Sequence, residues 1–348
     1  MPCALIPQEH PFALVLFGCQ YFGSSPSPDR EKSIRVFDAI LKQSAAHTET
    51  LEHDLSPQHL GSSRVWMSYW KSPDDYRDWW NSAAVTQFWS ALQDDAGFWR
   101  EKLTLHSARS MFATNKHVQN GYSHLGSLAP ISKDKAGYWG SYRDRLEEAT
   151  PQNRLESSLQ SVADPKALTG SVRQGRVVMN SFPENLCLAV EGQDYSNMQS
   201  AEREYWKENF DQLARRWVSH ATNAGPKAGV VSARHCFAAQ SGKFDEDATD
   251  AAGGEWAPAF NFNRQVEIFY FLDLSHFERI GKTVKVHIDL RNKFMKSCSP
   301  GGPMEKNNML LWVELSVVKA QDIEAEYIGC YDGTGFMAYD DVPAFQSH

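Results

Sequence analysis

Three side chains in this sequence of 348 residues carry chemistry that their neighbours leave open to more than one use. His287 sits in Val-Lys-Val-His-Ile-Asp-Leu, a stretch read as helical. A neutral imidazole there either ligates a metal or serves as a hydrogen-bonded structural group. Arg145 closes an Arg-Asp-Arg triplet; its permanent charge can polarise an oxygen, hold a carboxylate, or pair at the surface with Glu147 or Glu148. Glu191 precedes Gly-Gln-Asp, and burial would raise its pKa enough to make it a general acid near neutrality. An arginine alongside would favour its carboxylate instead and turn the two into a buried ion pair.

Several other chemistries are excluded. The six cysteines are scattered with no Cys-x-x-Cys pair, which argues against a zinc ribbon and against covalent haem attachment. Reduced thiols in a cytoplasmic protein are the simplest account. The net charge is −8 and no basic run stands out, so no nucleic-acid partner is expected. Phe12–Gly18 is apolar but too short to span a bilayer and follows no basic segment, so neither a membrane partner nor export is indicated. Hydrophobic residues make up 42% and charged residues 22%, as in ordinary globular chains. Eleven Trp, twelve Tyr and nineteen Phe suffice to line a large apolar pocket, or to build an aromatic core.

The elements that must position these groups alternate between strands and helices. Phe12–Phe22 and Arg64–Trp70 read as strands, with a helix over Arg30–Gln43 between them. Ser72-Pro73-Asp74-Asp75 opens a helix, with the serine as cap and the acids at the positive dipole end. That helix carries Tyr76, Trp79 and Trp80. Further on, strands are expected over Asn185–Val190, Gly229–Phe237, Gln265–Leu272, Asn308–Val318 and Ala325–Cys330. Helices are expected over Ala201–His220 and from Leu274 onward. Ser241–Glu255 is polar and Gly/Ala-rich and reads as a mobile loop. Residues 69–76 parallel residues 270–277 as strand end, cap and helix with an early inward aromatic. This points to a diverged duplication: an α+β fold of two ferredoxin-like halves, residues 1–135 and 136–348, packed as one compact unit.

Several motifs in order resemble the haem-containing aldoxime dehydratases. They include Phe17-Gly18-Cys19-Gln20-Tyr21 and Tyr69-Trp70-Lys71-Ser72-Pro73. Gly137-Tyr138-Trp139-Gly140-Ser141-Tyr142-Arg143-Asp144-Arg145 and Gly192-Gln193-Asp194-Tyr195 are the most specific, and the Thr334-Gly335-Phe336-Met337 tail closes the series. The resemblance implies a dimeric α+β barrel-type core with surrounding helices, haem b between sheet and helix, and removal of water from a small-molecule oxime to give a nitrile. It implies that the substrate nitrogen binds ferrous iron, that a proximal His holds the metal, and that a distal His, Ser and Arg act on the leaving hydroxyl. It also implies a monomer or homodimer.

Within that resemblance His287 falls at the proximal position and Arg145 at the distal Arg. The distal Ser position is Glu191 and the distal His position is Val313. A slip in register would bring His276 or His235 into the pocket instead. Val313 cannot supply a proton, so Glu191 becomes the expected acid of a lyase acting on an N–O bond. Two other readings stay open: a peroxidase- or peroxygenase-type enzyme using Glu191 with Arg145, and a non-enzymatic haem carrier or gas sensor.

Overall fold

The computed structural model describes residues 2–6, 10–23, 25–42, 44–55, 60–130, 142–246 and 257–346. The Gly137–Ser141 part of the most specific motif, the boundary at residues 135/136 and most of the polar loop lie outside them.

The chain is α+β. After β1 (Pro2–Leu5), the first half runs β2 (Phe12–Tyr21), α1 (Pro28–Leu41), β3 (His47–Asp54), β4 (Ser62–Trp70), α2 (Pro73–Trp80), α3 (Ala83–Ser90) and β5 (Phe98–Leu105). Strands β6 (Ser110–Thr114), β7 (Ser127–Pro130) and β8 (Arg176–Met179) lead into the second half. That half runs β9 (Leu186–Asp194), α4 (Ser200–Asn209), α5 (Asp211–Thr222), β10 (Val230–Phe237), β11 (Arg264–Phe271), α6 (Leu274–Thr283), α7 (Lys285–Ser297) and β12 (Leu310–Val318), with β13 (Ile323–Ile328) after it. All thirteen strands form one antiparallel sheet in the order β7-β1-β6-β12-β9-β11-β10-β3-β4-β2-β5-β13-β8. Both halves therefore repeat β-α-β-β-α-β, with the fourth strand beside the first and the third between the first and second.

The expected Ser72 cap is present: its side chain accepts from the Asp75 N–H at 3.0 Å, an arrangement that contributes about 1 kcal/mol. Asp273 caps the matching helix in the second half by accepting from the His276 N–H. The helix expected over Ala201–His220 is two helices, because Phe210 leaves helical geometry to stack its buried ring on Trp206 at 5.0 Å. The first helix is capped by Ser27, outside the predicted start. The described part of the polar loop is pinned rather than loose: Phe244 is buried, and the backbone N–H of Phe244 and of Asp245 both donate to Asn261.

Two glycines repeat one packing device. A Cβ on Gly18 would lie 2.2 Å from the Trp99 ring, and one on Gly192 would lie 2.1 Å from the Trp312 ring. Each glycine sits on the first strand of its half, directly opposite a tryptophan of the fourth. An arginine covers each indole, Arg234 at 4.6 Å from Trp99 and Arg264 at 4.3 Å from Trp312. One face of the curled sheet lines a shared core that joins Leu14, Met67 and Leu103 to Leu188, Val266 and Ile268. The other face is covered in the first half by α1 to α3 and in the second by α5 to α7.

Candidate active site

The second outer face is where the candidate residues meet. Val284, in extended geometry between α6 and α7, follows Thr283, and this β-branched pair breaks the helix. The turn sends the chain back so that His287, in the first turn of α7, reaches Gly281 near the end of α6. Its Nδ1 lies at hydrogen-bond distance from the Gly281 carbonyl. A carbonyl can only accept, so Nδ1 carries the proton and the ring lone pair is on Nε2. A backbone carbonyl fixing the tautomer in this way is the usual support of a metal-ligating imidazole. Burial lowers the pKa of His287, which favours the neutral, ligating form.

Across from this helix pair, β9 presents Glu191, and β12 presents Val313 as its direct partner. Strand register thus sets these two positions side by side. His287 and Glu191 line the same cavity of about 230 Å³, together with Tyr142, Trp217, Phe277 and Ile280. The Trp217 ring packs against His287, and its indole N–H favours the Glu191 carboxylate. Burial raises the Glu191 pKa to about 7, against a smaller lowering by Trp217. Lys282 and Arg291 stand at the rim, where positive charge suits an acidic ligand.

Arg145 and Glu191 form no ion pair, so the alternative of a buried Arg–Glu pair is not met. Among the groups acting on Arg145 are Tyr142, Cys3 and Asp144. Cys3 is on β1, and the row from it to Glu191 passes through Ala113 and Val313. Three strand spacings make that roughly 14 Å. His276, the first of two alternatives in the register argument, is held by Asp273 at 2.7 Å. His235 does reach this sheet face. Its strand partner Glu267, itself the partner of Glu191, was not expected from the sequence. Nothing in the local sequence marks Glu267; only strand register brings it beside Glu191.

The residues present fit a haem in their chemistry: an oriented imidazole, an apolar lining and cations at the mouth. The cavity itself is smaller than a porphyrin, so the helix layer must separate from the sheet to admit one. A larger open cleft of about 740 Å³ lies between α1 and α2 but, among the described residues, is lined by no imidazole and by none of His287, Glu191, Arg145 and Val313.

Residues 15–336 match the family described as haem-containing dehydratase. The chain belongs to the haem-containing dehydratases. Its cofactor is haem b, and it is a lyase of the dehydratase kind. Among curated relatives, it is 24% identical to phenylacetaldoxime dehydratase of Bacillus sp. (strain OxB-1), over 88% of this chain and 82% of that protein. It is 25% identical to aliphatic aldoxime dehydratase of Rhodococcus globerulus, over 94% and 87%. A solved aldoxime dehydratase in complex with butyraldoxime superposes with a TM-score of 0.75 at 19% identity, covering 97% of this chain and 88% of that one. This dehydratase therefore shares the fold of those enzymes. Among the described residues, no helix is long and apolar enough to cross a membrane.

Proposed function

We propose that the protein is a haem b-dependent lyase that dehydrates an aldoxime or a related small-molecule oxime, with His287 as the proximal ligand and Glu191 as the acid. One observation carries this reading: His287 and Glu191 face one cavity from opposite walls, with Val313, which has no proton to give, beside Glu191. Bound haem supplies a Lewis-acidic iron for the oxime nitrogen. Glu191, protonated in part near neutrality, gives its proton to the departing hydroxyl oxygen as the N–O bond breaks and its electron pair goes to oxygen. The carboxylate left behind takes the proton from the oxime carbon, and that C–H electron pair becomes the third carbon–nitrogen bond. Water and nitrile leave, and Glu191 is restored. Arg145 enters as a fixed charge acting on Tyr142, which lines the same cavity. The peroxidase-type reading needs an arginine against the distal carboxylate and loses that support here.

The test uses Glu191→Gln. With dithionite and an aldoxime, the variant is expected to keep the spectral shift of a nitrogen-bound iron. Nitrile formation falls by about 100-fold or more, the usual worth of a general acid. Undiminished nitrile formation would remove Glu191 from the chemistry.

The halves, residues 1–135 and 136–348, we infer to be ferredoxin-like and joined as one dimeric α+β barrel-type unit. Their matching strand orders and the repeated glycine–tryptophan device support this. All six cysteines are free thiols, which suits a cytoplasmic monomer or homodimer.

A further inference from the structure

Glu191 and Glu267 are direct partners on adjacent strands, which sets their Cβ atoms roughly 4.5–5.5 Å apart on one face. Glu267 is 3% exposed, and its Oε1 is buried without a hydrogen-bond partner. From β10, His235 brings Nε2 to 3.4 Å from that same oxygen. The His235 side chain is 11% exposed and so touches the outside, whereas Glu191 opens on the cavity. Three titratable groups thus cross consecutive strands from the exterior to the cavity wall.

The first half shows what the fold normally places here. Counting from Gly18 and Gly192, Glu191 matches Phe17. Counting from the paired segments at residues 69–76 and 270–277, Glu267 matches Trp66. Phe17 and Trp66 are likewise direct strand partners, both buried under α1 to α3. Two carboxyls therefore stand where the duplicate keeps two packed rings. Burying them costs stability, and ionisable groups kept at such a cost cluster at functional sites.

We propose that Glu191 and Glu267 act as one carboxyl pair sharing a proton at the sheet-side wall of the cavity, with His235 as its contact with solvent. The idea rests on the cavity being the reaction site. Two adjacent buried carboxyls cannot both ionise readily, so their protons leave in two separated steps. Burial raises Glu267 well above the usual carboxyl range, and the charge of Glu191 raises it further. While Glu191 is ionised, the Glu267 hydroxyl donates to it. Glu267 thereby positions and steadies the carboxylate that must take up the proton from carbon, and the pair ends a turnover with the protons it began with. The other groups around it are Trp217, which favours the Glu191 carboxylate, Gln265 on His235, and Tyr195, Asp211 and Arg215 beyond.

Infrared titration of the protonated-carboxyl band tests this on the haem-loaded protein without substrate. With the band of Glu314, whose pKa burial also raises, to about 8, subtracted by means of the Glu191→Gln/Glu267→Gln double variant, wild type is expected to lose band intensity in two steps that Glu267→Gln and Glu191→Gln each reduce to one. In Glu191→Gln the remaining step falls by about one pH unit or more from the upper wild-type step, because the neighbouring charge is gone. His235→Gln is expected to slow hydrogen–deuterium exchange of the band without removing either step. A remaining step that stays at the upper wild-type position, or a wild-type band lost in a single step, overturns the pair. No turnover is read, so failure of the lyase reading and failure of the carboxyl pair are separate outcomes.

Discussion

The indole of Trp217 lies 4.3 Å from the imidazole of His287, centroid to centroid, with the ring planes 34° apart. The same indole N–H favours the Glu191 carboxylate, so one side chain acts on groups of both walls of the cavity. Trp217→Phe keeps an aromatic ring and removes only that N–H. The N–H holds the Glu191 pKa down, so its loss raises the value above about 7. A protonated Glu191 is the working form, and the alkaline limb of the pH–rate profile should therefore move upward, by about one unit. An unmoved or acid-shifted limb contradicts the assignment.

His287→Gly should weaken haem binding by more than the about 10–100-fold that loss of an outer hydrogen-bond partner costs. Free imidazole should restore both affinity and the axial-ligand spectrum, because the rest of the cavity is left intact. Absorption titrations with haem, with and without imidazole, read this directly.

Gly281 offers a sharper test. It matches Trp80 in the first half, whose ring stacks over Phe17 at 6.3 Å and fills the equivalent space. A Cβ on Gly281 meets nothing nearer than His287 Cε1 at 3.7 Å, an ordinary contact. Gly281→Ala should bind haem normally and gain up to about 1 kcal/mol of helix stability. Gly281→Trp should fold yet take up no haem, the cavity being filled as in the other half. Equal haem loading of the two variants would show that the cavity is not the cofactor site.

Where β3 and β10 join the two halves, Arg234 and Glu101 meet inside the shared core, Nη1 to Oε2 at 2.9 Å, with Tyr327 donating to the same carboxylate. Their side chains are 6% and 0% exposed. Glu101→Ala leaves a buried guanidinium unpaired and should cost about 3–5 kcal/mol in denaturant unfolding. Glu324→Ala, which breaks a half-exposed pair with Lys102, should cost about 0–1 kcal/mol. Similar losses in both would deny the buried pair its part in joining the halves.

Much of this was legible in the sequence where local physics decides. The apolar run from Phe12, the Ser72 cap and the parallel between residues 69–76 and 270–277 all have their counterparts in three dimensions. Strands such as β3, whose burial alternates among charged residues, gave no clear period and were missed. The surroundings of Glu191 were less legible: the family motifs name Val313 as a position, but which residues flank Glu191 depends on register between strands distant in sequence, as for Val313, Glu267 and His235.

Strand β5 of the first half is completed on its outer side only by β13, which β8 then covers. During synthesis, residues 98–105 emerge more than two hundred residues before their partner. Until then the nascent protein presents an unsatisfied hydrogen-bonding edge to other chains. Expression yield should accordingly depend on holdase chaperones, and truncation before residue 323 should produce aggregates rather than a soluble first half.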